Sequence, residues 1–222
     1  DHKMANAIES VRFYNSIQFT DLLSVLKKEW ENQLQQQHAG RFVHPQGGYV
    51  EWEKDDFVRL VLTHNRKGTK ELEIVSPHAV SLAFNAGWFE YKVARMLSHW
   101  KYAKDIRLNC IFPPSKNQNM VKYPKNEVDI IVNTGTKLLF VECKTKLASS
   151  TNIDKFRTVV KNYGGSGSKA LFITDVEMND TEKEKCSESQ ILQFALSNQS
   201  VGSNKEQALF SMLNKELFNI NA

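Results

Sequence analysis

Two apolar runs in this chain carry charged residues where strands normally carry none. Asn126-Glu127-Val128-Asp129-Ile130-Ile131-Val132 is followed, across Thr134-Gly135, by Lys137-Leu138-Leu139-Phe140-Val141-Glu142-Cys143-Lys144. The two runs read as strands of a hairpin. Desolvating an unpaired carboxylate or ammonium costs several kcal/mol or more. A hairpin that keeps Asp129, Glu142 and Lys144 inside its strands therefore needs a metal ion or a strong ion pair to hold them.

Strand geometry sharpens the expectation. Side chains alternate faces, so Glu142 and Lys144 lie with Leu138 and Phe140, while Val141 and Cys143 point the other way. With a two-residue loop at Thr134-Gly135, Asn133 faces Thr136 and Asp129 falls opposite Phe140. Asp129 then shares the face of Glu142 and Lys144, one diagonal step from Glu142. A three-residue loop would send Asp129 to the opposite face. Glu127 shares the face of Asp129 and serves either as an additional ligand or as an exposed strand start. Two carboxylates on adjacent strands are hard oxygen ligands, suited to Mg²⁺ or Mn²⁺. A metal so held polarises a phosphate and supplies a nucleophile at neutral pH, and a neighbouring lysine can orient the water or neutralise developing charge. The same residues also fit an ordinary cross-strand salt-bridge ladder on a solvated face.

Asp129 followed by Glu142-Cys143-Lys144 resembles the core of the PD-(D/E)xK nuclease superfamily. The longer string from Asn126 to Lys146 is similar to the nuclease domain of CARF-linked effectors of CRISPR defence. The similarity runs upstream to Gly87-Trp88-Phe89-Glu90 and downstream through Lys155 and Gly164-Gly165 to Lys169–Thr174, covering residues 82–175. Val128 stands where the superfamily's name has proline. The resemblance implies an α/β fold with a restriction-endonuclease-like core, a mixed central sheet flanked by helices. It implies Mg²⁺- or Mn²⁺-dependent hydrolysis of phosphodiester bonds in DNA and/or RNA, single-stranded or by nicking of duplex. The implied catalytic set is Asp129, Glu142, Lys144 and Glu90. The implied metal ligands are Asp129, Glu142, Glu90 and the main-chain carbonyl of Cys143. Lys155, near the start of a basic helix, and Lys146 and Lys122 of the flanking basic segments are the candidate substrate contacts. It further implies a cytoplasmic homodimer, antiviral defence, and activation by cyclic oligoadenylate through an N-terminal sensing domain absent from this chain.

The flanking sequence supports parts of this frame independently. Residues 82–100 read as one helix with Phe89, Val93, Met96, Leu97 and Trp100 on a stripe, and Glu90 at its edge. Gly87 either allows a close approach or marks a break. Thr151-Asn152 offers N-cap chemistry for a helix carrying Phe156, Val159, Val160 and Tyr163, ended by Gly164-Gly165. Strand 169–174 is then parallel to the Glu142 strand. Asp105–Phe112 alternates as a half-exposed strand, and the loop that follows carries Lys116, Lys122, Tyr123 and Lys125 without an acid. Such a loop suits a phosphate backbone or a plain solvated connector. The tail from Ser187 to Phe218 reads as two helices.

The chain divides near residue 80, into a helical, winged-helix-like α+β module (1–80) and a nuclease domain (81–222). Within the module, Ile17, Leu22, Leu23, Val25, Leu26 and Trp30 mark helix, and strands are expected at Tyr49–Trp52, Phe57–Thr63 and Glu71–Val75. This module suits DNA binding, a spacer or a dimerisation element. A formal charge of +4 permits nucleic-acid binding without demanding it. No apolar run approaches the roughly 20 residues of a membrane span. Three cysteines without CxxC spacing argue against a zinc ribbon or disulfide scaffold. Two further readings stay open: a non-catalytic nucleic-acid-binding or dimerisation module that keeps the fold, and a restriction-type endonuclease subunit.

Overall fold

The computed structural model describes residues 2–22, 38–112, 126–146, 151–197 and 204–220. Lys122 and the rest of the basic loop lie outside them, as do Leu23, Val25, Leu26 and Trp30. The chain forms two compact units, Asp1–Lys92 and Val93–Ala222.

The first unit opens with helix α1 (His2–Tyr14) and a helical stretch α2 (16–22). Four antiparallel strands follow as a meander: β1 (Ala39–Val43), β2 (Tyr49–Glu53), β3 (Phe57–His64) and β4 (Gly68–Val75). Period-two alternation buries Val50, Trp52, Val58, Leu60, Leu62 and Ile74. The opposite face sets Arg41, Glu51, Arg59 and Glu73 in one row across all four strands. Strand β1 escaped the sequence reading because Ala39-Gly40-Arg41 lacks β-branched residues. Gly40 is needed there, since a Cβ would come within 2.3 Å of the Trp52 ring.

The helix expected over 82–100 is two helices, α3 (Ala79–Phe84) and α4 (Gly87–Ser98). Ala86 takes a left-handed φ of 60° at the break. A Cβ on Gly87 would meet the Ser81 carbonyl oxygen at 3.0 Å, so glycine lets the second helix start against the first. Apolar periodicity continues across such a break, which is why the sequence alone reads as one helix.

The second unit is built on a five-stranded mixed sheet in the order β5 (Asp105–Phe112), β6 (Asn126–Asn133), β7 (Leu138–Lys144), β8 (Lys169–Thr174) and β9 (Ile191–Ala195). The first three strands are antiparallel and the last three parallel. Helix α5 (Thr151–Tyr163) joins β7 to β8, α6 (Asp180–Glu188) joins β8 to β9, and α7 (Lys205–Phe218) follows. Strand β9 corrects the expected all-helical tail. Its five residues are too few for periodicity to separate strand from helix, and Gln190, at φ 56°, turns the chain into it. Helix α6 had a signal that went unread: Asn179 and Glu182 form a reciprocal capping box.

The β6–β7 hairpin pairs Asn133 with Leu138 rather than with Thr136, so the loop holds four residues. Gly135, at φ 91°, and the Thr134 hydroxyl, accepting from Lys137 N–H at 3.0 Å, close it. The displacement from the expected register is two residues. An even slip preserves faces, so Asp129, Glu142 and Lys144 remain on one side.

That side is also the side of Phe140 and Phe172. Both pack with Ile153, Phe156 and Val159 of α5 in a buried cluster. Phe172 is fully buried, edge-on to Phe156 at a centroid distance of 5.2 Å. Truncating Phe172→Ala removes a large side chain from the layer directly beneath Glu142. Urea unfolding should show a loss of about 3–5 kcal/mol.

Candidate metal centre

The ladder between β6 and β7 runs from Asn133–Leu138 to Ile130–Val141 and stops there. The ladder between β7 and β8 continues to Lys144–Thr174. Beyond Ile130 the Asp129 side chain takes over: its Oδ2 accepts the Cys143 backbone N–H at 2.7 Å. A strand donor that would otherwise be orphaned thus fixes a buried carboxylate, 9% exposed, at the point where the pairing ends.

Lys144 joins the two acids. Its Nζ lies 2.7 Å from Glu142 Oε1 and 3.5 Å from Asp129 Oδ2. Glu142 is mostly buried, with a side-chain exposure of 15%. Burial, then the charge of Asp129, push its carboxyl up to about 7, against the opposing pull of Lys144. For Lys144, burial alone would pull the ammonium down. The charges of Glu142 and Asp129 outweigh it and hold the group above its ordinary value. Lys144 is therefore a hydrogen-bond donor and a positive charge at neutral pH, not a base.

Among the described residues, no group of three or more His, Cys, Asp or Glu side chains converges to hold a metal. The donor set is two carboxylates, Asp129 and Glu142. It fits a hard divalent cation that keeps several waters, as Mg²⁺ does, and does not fit a closed nitrogen or sulfur site. The raised Glu142 carboxyl reflects burial first and the Asp129 charge second, and a divalent cation at the pair would oppose both by favouring the ionised form.

The other expected residues stand as follows. Cys143 buries its thiol and gives the site its backbone N–H. Glu127 is exposed, near enough to Glu142 for its charge to push the same way. Lys146 and Lys155 are exposed, the first just after β7 and the second on α5. Glu90 is half-buried in the first turn of α4 and belongs to the first unit. Sequence reasoning missed Thr174, the register partner of Lys144, because a threonine closing an apolar strand gives no distinguishing signal.

No family model and no curated protein matches this chain. Solved structures do. Can2 from Sulfobacillus thermosulfidooxidans, solved in complex with cyclic tetra-adenylate, superposes with a TM-score of 0.56 at 20% identity, over 98% of this chain and 57% of that one. Protein VC1899 from Vibrio cholerae superposes with a TM-score of 0.60 at 14% identity, over 97% and 56% respectively. The chain therefore spans little more than half the length of either structure. Its fold is mixed α/β with a restriction-endonuclease-like core, a five-stranded mixed sheet flanked by helices.

The Glu142 carboxyl sets a stability prediction. Its folded value lies above the ordinary carboxylate range, so the folded state favours the protonated form. The contribution of this carboxyl to stability is greatest below about 4.5 and is lost as pH rises towards about 7, because the unfolded chain ionises first. Lys144 contributes no slope here, since it stays charged in both states. Thermal melts of metal-free protein should show a decline in Tm between pH 5 and 7.5. That decline should be shallower in Glu142→Gln, by a few degrees, roughly the effect of 1 kcal/mol.

Proposed function

We propose that the chain is a metal-dependent endonuclease of the PD-(D/E)xK type that hydrolyses phosphodiester bonds in DNA and/or RNA. One observation carries this reading: Asp129, Glu142 and Lys144 meet on one face where β6 parts from β7. Asp129 and Glu142, with the Cys143 carbonyl, would hold Mg²⁺ or Mn²⁺. The bound ion supplies polarisation of a phosphoryl oxygen and a water of lowered pKa.

The chain's own residues do the rest. Asp129 is locked by the Cys143 N–H, so its free oxygen presents a fixed donor. Lys144 keeps its proton and directs N–H bonds at the incoming water or the phosphoryl oxygen on which charge accumulates. A donor so placed commonly contributes about 3–4 kcal/mol of barrier. In the reaction a water oxygen bonds to phosphorus, the bond from phosphorus to one sugar oxygen breaks, and that oxygen leaves with a proton. Lys155 and Lys146, both exposed, and Lys122, which precedes β6 in the sequence and lies outside the described residues, steady the strand's phosphates. Glu90 is the remaining carboxylate assigned to this chemistry.

We further assign the chain to a longer, dimeric effector switched by cyclic oligoadenylate. The support is its likeness to 57% of Can2, which was solved with cyclic tetra-adenylate. The sensing domain would lie outside this chain.

Labelled single-stranded DNA, single-stranded RNA and supercoiled plasmid, each with Mn²⁺, test the reading. Cleavage should be abolished by Glu142→Ala and reduced about 100-fold or more by Lys144→Ala. Calorimetric Mn²⁺ binding should be lost in Glu142→Ala and retained in Lys144→Ala. Neither cleavage nor Mn²⁺ binding by the parent protein would leave a non-catalytic module as the reading.

A further inference from the structure

Thr174 ends β8 almost wholly buried, at 1% exposure, and its hydroxyl has no hydrogen-bond partner. A buried polar group left unsatisfied costs about 1–3 kcal/mol, and folded proteins leave few of them. This one sits beside the candidate centre. Thr174 is the register partner of Lys144 across a parallel pair, where neighbouring strands run about 4.8 Å apart. Partners in such a pair share a face, so Thr174 lies on the side of Glu142 and Lys144.

The surroundings narrow what that hydroxyl can serve. On the same face of β8 its neighbours are Phe172 and Ala170, and its partner on β9 is Ala195. None of the three carries a side-chain acceptor. The main chain at Thr174 is pinned from both sides: Leu196 N–H donates to its carbonyl at 2.8 Å, and Asp175 N–H donates to the Lys144 carbonyl at 3.2 Å. A β-branched side chain on a pinned strand has little rotamer freedom. The hydroxyl is thus a fixed acceptor beside Lys144.

The Lys144 ammonium has three protons to place. In this structure it is held by Glu142 and Asp129. A divalent cation on those carboxylates would take away both acceptors and leave a flexible four-carbon side chain unanchored. We propose that Thr174 is a positioning residue, whose hydroxyl accepts from the Lys144 ammonium once the carboxylates are turned to a cation. Lys144 then moves from guarding the acids to a fixed place beside the scissile phosphate. The proposal rests on the nuclease reading.

Thr174→Val keeps the shape and removes the acceptor, and Thr174→Ser restores it. In metal-free protein Thr174→Val should melt at or above the parental Tm, because the hydroxyl has no partner there. The rise in Tm on adding Mn²⁺ should be smaller in Thr174→Val than in the parent and recover in Thr174→Ser. With the substrate that the parent cleaves, Thr174→Val should lower kcat about tenfold with KM unchanged, and Thr174→Ser should recover most of it. An equal Mn²⁺ shift and an equal kcat in Thr174→Val overturn the proposal alone. So does a lowered metal-free Tm, which would give the hydroxyl a structural partner. Absence of any Mn²⁺ shift in the parent overturns the nuclease reading and the proposal with it.

Discussion

One ammonium between two carboxylates is the constraint on which the second unit turns. Asp129 and Glu142 are both mostly buried, and two such charges on adjacent strands repel unless a cation stands with them. Lys144 is that cation in the metal-free chain. Its position in turn requires β7 to be an inner strand, gripped by β8 up to its last residue, while β6 lets go three residues earlier. Had β6 paired to the end, the Cys143 N–H would have had a main-chain partner. It would then not have fixed the Asp129 carboxylate.

The faces of the site residues were legible in the sequence because strand alternation tolerates an error of two. The hairpin loop was misjudged by that amount, and Asp129 still came to the side of Glu142 and Lys144. An error of one would have destroyed the arrangement. Helix α5, its glycine terminus and its parallel return strand were legible for a similar reason: Phe156 and Val159 set the period, and Gly165 the left-handed stop. The break at Ala86 was not legible, since it turns on a close backbone approach that only the folded chain displays. Neither was β9, whose length is below what periodicity can resolve. Thr174 lay furthest out of reach, because an orphaned hydroxyl is a property of the packed interior.

The first unit is held together differently. Its meander buries one face, and the other carries Arg59 between Glu51, Glu71 and Glu73, with Arg59 Nε donating to Glu73 at 2.8 Å. Exposed pairs of this sort contribute little each, so they fix cross-strand neighbours more than they stabilise. The buried alternation from Val50 to Ile74, with Gln18 accepting from Thr63 N–H at 2.7 Å, carries the unit.

A proton and the proposed cation would compete for the same oxygen. Glu142 holds its proton to about 7 because burial and Asp129 both disfavour its charge. A cation that binds Glu142 must displace that proton at lower pH and meets an open carboxylate at higher pH, so affinity rises with pH up to that range and then levels. Lys144 imposes a second competition that pH leaves untouched, since its ammonium persists through the neutral range. On the proposed metal-dependent reading, Lys144 pairs with the acids without metal and competes with the first ion for them. On the same reading, the lysine that pairs with the acids would become the free positive charge once they are engaged by an ion. That exchange would require a new acceptor within its reach, and the strand beside it ends in a buried hydroxyl that has no hydrogen-bond partner.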